Sequence, residues 1–84
     1  MNKVTATAAT KIAAGTATKI DAARVVADHL GWVVAPGGYI KRADGTTVAQ
    51  GWNATAARVA NRGLIAKTAR GGFQIDWRKV AKNA

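Results

Sequence analysis

Arg58 and Arg62 stand four residues apart, with Thr55 three residues before the first and Asn61 three residues after it. On a helix at 100° per residue these four share one face, so both guanidinium groups can reach the same groove or adjacent phosphates. Arginine forks match phosphate oxygens and the acceptor edge of guanine, and Asn and Thr hold base edges or phosphates. Lys67-Thr-Ala-Arg70-Gly-Gly-Phe73 follows at once and sets two more cations beside Gly71-Gly72. A glycine pair there lets the backbone approach a strand closely. Arg78 and Lys79 extend the run. The candidate binding set is therefore Thr55, Arg58, Asn61, Arg62, Lys67, Arg70, Arg78 and Lys79, and its chemistry is the binding of a polyanion.

Other chemistries find little material. The 84 residues contain no Cys, no Ser and no Glu. Disulfides, Cys-ligated metals and Ser or Cys nucleophiles are excluded. Four Asp and a solitary His29 make up the acid–base inventory, so neither an enzyme nor a metal or other cofactor is expected. Asp44-Gly45 is turn chemistry without EF-hand spacing, and Gly37-Gly38 lacks the Lys and Ser/Thr of a phosphate-binding loop.

The formal net charge is +9, unevenly placed. Residues 1–20 hold Lys3, Lys11 and Lys19 and no acid. In residues 21–57, Arg24, Lys41 and Arg42 balance Asp21, Asp28 and Asp44. Residues 58–84 set seven Lys and Arg against Asp76 alone. One-sided clustering points to a polyanionic partner rather than to solubility. By this distribution Lys41 and Arg42 belong to a neutral middle and should matter less than Arg58 and Arg62. No stretch reaches the roughly 18 apolar residues of a membrane span, and no membrane partner is expected.

The elements that must position these residues read as follows. Residues 1–17 form a basic arm or a weak helix, 18–77 an α+β domain, and 78–84 a basic tail. Thr18-Lys-Ile-Asp21 resembles a capping box ahead of a helix over 19–30, and Gly31 stops it. Residues 32–35 read as a short buried strand, 36–38 as a turn, 39–42 as a strand, 43–45 as a hairpin turn and 46–50 as the returning strand. Asn53 is the cap signal for a helix over 54–62, stopped by Gly63. Residues 64–67 and 73–77 read as strands about a loop, with Phe73, Ile75 and Trp77 on one face.

Two stretches repeat. Ala22-Ala-Arg-Val and Ala56-Ala-Arg-Val stand 34 residues apart, as do Gly37-Gly38 and Gly71-Gly72. The fold class is thus α+β, a small single domain of two helix–hairpin units (αββ-αββ) with a possible extra N-terminal helix. The second helix reads as two residues shorter than the first. Neither unit can bury its sheet face alone, so both should share one core, anchored by Trp32, Tyr39, Trp52, Leu64, Phe73 and Trp77.

The order of helix, Gly63-Leu64-Ile65, strand and Arg70-Gly71-Gly72-Phe73 resembles the end of a winged-helix domain, over residues 53–77. In that family a recognition helix enters the major groove and the following hairpin, the wing, grips the backbone. The resemblance implies that 54–62 is the recognition helix and 67–73 the wing. The expected function is DNA binding by a small cytoplasmic protein, a regulator or accessory factor of a bacterium or phage. RNA is a related target. The alternative is an interaction module whose basic surface caps an acidic site on a partner protein. The small size leaves room for a homodimer.

Overall fold

The computed structural model describes residues 3–82. Among them four α-helices and two antiparallel sheets follow in the order α1 (Lys3–Ala14), α2 (Lys19–His29), β1 (Val33–Val34), β2 (Tyr39–Lys41), β3 (Thr47–Gln50), α3 (Gly51–Asn61), β4 (Ile65–Lys67), β5 (Phe73–Ile75) and α4 (Trp77–Lys82). Strands β1, β2 and β3 form one sheet in that order, and β4 pairs with β5 in the other. The α+β class holds, with a helix in the N-terminal arm and another in the tail.

Helix α2 begins at the expected capping box. The Thr18 hydroxyl accepts from the Asp21 N–H at 3.1 Å, and the Thr18 N–H donates to the Asp21 carboxylate at 2.9 Å. Its C-terminus is closed by a Schellman motif: Gly31 N–H donates to Asp28 and Trp32 N–H to Ala27. Helices α1 and α3 end identically, through Gly15 and Thr16 onto Ile12 and Lys11, and through Gly63 and Leu64 onto Ala60 and Val59. The three stop glycines hold φ of 78°, 76° and 74°, which side chains resist.

The three hairpin turns share one design. Residues 35–39, 42–46 and 68–72 are each closed by the N–H of the fourth residue donating to the first carbonyl and of the first residue donating to the fifth. The fourth residue is always a left-handed glycine: Gly38, Gly45 or Gly71. Between β2 and β3 the pairing passes from Ile40–Ala49 to Lys41–Thr47, so Val48 is an extra residue and bulges the strand. Val48 and Ile40 are both buried.

This geometry corrects the repeat. Helices α2 and α3 are both 11 residues long, and their starts and stop glycines lie 32 residues apart, not 34. The offset grows to 33 at the turns and 34 beyond them, because the β4–β5 ladder has one more residue pair than the β1–β2 ladder. The matching Ala-Ala-Arg-Val strings are therefore two positions out of helical register and lie on different faces.

Helix α2 packs between α1 and α3 and carries both β4 and β5. The core joins Ala22 and Val26 of α2, Val59 of α3, Leu64, Ile65 and Val80, with Ile12, Leu30, Trp32, Phe73 and Ile75 packed against it. The second hairpin docks on the α1–α2 loop, where Phe73 N–H donates to the Ala17 carbonyl at 2.9 Å. Gly72 is buried there against the Gly15 backbone.

Four expectations change. Residues 78–82 of the expected 78–84 tail belong to α4, which starts where the Asp76 carboxylate accepts from the Lys79 N–H and buries Val80 fully, while 83 and 84 lie outside the described residues. Trp77 consequently leaves the β5 face, is 47% exposed and meets His29 edge-on at 4.9 Å; Tyr39 is also exposed, so neither anchors the core. Strand β1 is exposed at Val33 and Val34, because it lies at the sheet edge. Helix α3 begins at Gly51 with Gln50 in the cap position, and Asn53 lies exposed within it rather than capping it.

Candidate nucleic-acid interface

Helix α3 turns Ala56 and Val59 inward, which leaves Arg58, Asn61 and Arg62 exposed on its outer side. Thr55 does not join them. It is fully buried, and its hydroxyl donates to the Gly51 carbonyl at 2.8 Å. The earlier start of α3 supplies that carbonyl one turn back, so the hydroxyl is satisfied without solvent and can sit at the packed edge of the helix.

Beside this face is a cleft of about 350 Å³, lined by Leu30, Trp32, Arg42, Ala43, Asp44, Arg58, Val59, Arg62 and Leu64. Its floor follows from the helix ends: the Schellman motifs fold Trp32 and Leu64 back beneath α2 and α3. The 42–46 turn lines the same cleft with Arg42, Ala43 and Asp44. Arg42 donates to the Thr46 hydroxyl and the Thr47 carbonyl, both at 3.3 Å, and its guanidinium lies 5.9 Å from the Trp32 ring centroid. Arg42 was expected in a neutral middle; packing places it with Arg58 and Arg62. Charge bookkeeping along the chain had no signal for this, because a turn 16 residues upstream closes the site.

Asp44 stands on the same rim. Its side-chain and backbone hydrogen bonds from Thr46, at 2.6 and 2.9 Å, hold its carboxyl below the ordinary carboxylate range, so it is an anion at neutral pH. The cleft thus carries three cations against one anion.

The remaining candidates fall elsewhere. Lys67 and Arg78 border a shallow groove along β4, β5 and the start of α4. Arg70 lies with Ile12 and Gly15 at the end of α1. The Lys79 ammonium reaches Gly63, just beyond the end of α3, where the helix dipole favours a cation. Arg58, Asn61, Arg62, Lys67, Arg70 and Arg78 make no side-chain hydrogen bond or ion pair among the described residues. Cations of the first half are more engaged: Lys19 lies over Phe73, Arg24 over Trp52, and Lys11 is 4.0 Å from Asp21. Among the described residues no three His or Asp side chains gather to hold a metal.

Comparison with protein-family models, curated proteins and solved structures found no match to this chain.

Proposed function

We propose that this is a small basic DNA-binding protein, a cytoplasmic regulator of transcription or an accessory factor of bacterial or phage origin. The observation that supports it is the outer face of α3: Arg58, Asn61 and Arg62 are exposed and unengaged, with Arg42 held ready beside them. A protein that left these guanidinium groups to solvent would gain nothing from clustering them; phosphates release their counterions when such groups approach. In this reading α3 is the element presented to the duplex. The 68–72 turn, with Arg70, grips the backbone, as the winged-helix resemblance implies.

The test is a titration of duplex DNA at two salt concentrations with Arg58→Ala/Arg62→Ala, Arg42→Ala and Lys41→Ala, folding being checked by circular dichroism. Each lost phosphate contact should lower the salt slope by about 0.9. The double variant and Arg42→Ala should bind more weakly, whereas Lys41→Ala should match the unaltered protein. Unchanged binding by the double variant would move the surface elsewhere. No binding by the unaltered protein at low salt would favour an acidic protein partner instead.

A further inference from the structure

We propose that the cleft between the ends of α2 and α3 and the 42–46 turn receives one unpaired nucleotide, its base against Trp32 and Leu30 and its phosphate on the arginine rim. This rests on the polyanion reading above and gives it a substrate class.

A duplex backbone needs only exposed cations, and the outer face of α3 already offers them. The cleft has three features beyond that need. Its floor is apolar: Leu30 and Trp32 are left half-exposed there, backed by the buried Val59 and Leu64. Flat, apolar surface of this kind takes the face of a base. Its rim draws cations from two elements, Arg42 of the 42–46 turn and Arg58 and Arg62 at the end of α3, and Arg42 is already fixed by two hydrogen bonds and by Trp32. Asp44 uses Oδ1 for both Thr46 bonds, which leaves Oδ2 without a hydrogen-bond partner in another described residue. An anion on the rim of a site for anions is unfavourable unless the ligand also carries donors, and a base edge carries them. The volume of about 350 Å³ lies at the lower end of the ~300–1,000 Å³ range of ligand clefts, the scale of one nucleotide. A paired base hides its faces and its Watson–Crick edge, so the occupant is unpaired. Carboxylate side chains of a protein would satisfy the arginines but would leave the floor uncovered and meet Asp44 with like charge.

The experiment uses the full chain with Trp52→Phe and Trp77→Phe, which leaves Trp32 as the sole indole. Three DNAs of one sequence are titrated at low salt: a perfect duplex, the same duplex with one extra unpaired base, and the single strand. Unpaired bases should quench Trp32 emission, and the bulged duplex should bind about tenfold more tightly than the perfect one. Ala43→Phe fills the rim while keeping all three arginines; it should abolish that margin. Ala43→Leu serves the same purpose should the larger ring disturb folding. Equal affinities with silent Trp32 emission would overturn the cleft inference and leave the basic-surface reading standing. Absence of binding to all three DNAs would overturn both.

Discussion

Gly72 and Gly45 illustrate two different reasons for a residue to lack a side chain. A Cβ on Gly72 would stand 2.2 Å from the Gly15 carbonyl oxygen, and backbone cannot swing aside as a long side chain can. Gly45 has open space around it but a φ of +88°. Gly72→Ala should therefore cost at least the ~1–3 kcal/mol of overpacking, and loosen the hairpin from the α1–α2 loop. Gly45→Ala should cost ~1–2 kcal/mol through conformation alone, and Gly45→Asn less, because Asn tolerates the left-handed region. Urea melts of the three variants check this; a Gly72→Ala protein as stable as its parent would show that the hairpin is not seated on that loop. Asp21 supplies a pH dependence. Burial raises its pKa, but the Thr18 hydrogen bonds, with Lys11 and Arg24 nearby, outweigh this and leave it lowered. A carboxylate lowered on folding stabilises the protein fully above its unfolded pKa of about 3.9, and that contribution is lost as pH falls through the folded value. Asp21→Asn should flatten the loss of stability as pH falls below the unfolded value of about 3.9; an unchanged acid profile would assign it to other carboxylates.

Helix α4 shows where an element was hidden in plain sequence. Phe73, Ile75 and Trp77 alternate as a strand does, while Asp76 before Trp-Arg-Lys-Val carries the signal of a helix cap. Two local rules conflicted, and burial of Val80 decided between them. We expect Val80→Ala to cost about 2 kcal/mol, two buried methyl groups plus a small cavity. Trp77→Ala, at a half-exposed site, should cost less than the ~3–5 kcal/mol of a buried aromatic. Thermal melts in the reverse order would restore Trp77 to the core. By contrast, α2 was legible because both its ends carry signals in adjacent residues, Thr18 with Asp21 and then Gly31. The turns were legible from their glycines for the same reason. The start of α3 was not, since Gly51-Trp52-Asn53 offers a turn and a cap, and only packing makes it helix. The candidate site divides likewise. Arg58 and Arg62 declare themselves by four-residue spacing, whereas Arg42 and Trp32 reach the cleft through a hairpin turn and a helix end that no local pattern connects.

At the scale of the molecule, one core serves both helix–hairpin units: Val26 and Ala22 come from the first, Val59, Leu64 and Ile65 from the second, and Val80 closes it. Unfolding should therefore be a single transition seen alike by tryptophan emission and circular dichroism. Residues 18–52 alone would expose Val26 on an open helix face; a dispersed NMR spectrum from that fragment would show two cores instead of one. The long dimension is 35 Å, close to one turn of B-DNA at ~34–36 Å. If the proposed DNA binding holds, the occluded site should be no longer than about ten base pairs, which footprint length on duplexes of graded size would measure.

The β4–β5 ladder has one more residue pair than the β1–β2 ladder, and this constrains how the gene for such a chain could drift. A single inserted codon in β4 or β5 would set two residues against one, as Val48 does in β3, and turn the strand beyond it over. A paired insertion lengthens the ladder by one rung and keeps the two strands in register with each other. Inherited length variants of the 65–75 hairpin should therefore come in steps of two codons, one from each side of the turn, and odd-numbered ones should survive only with a compensating bulge.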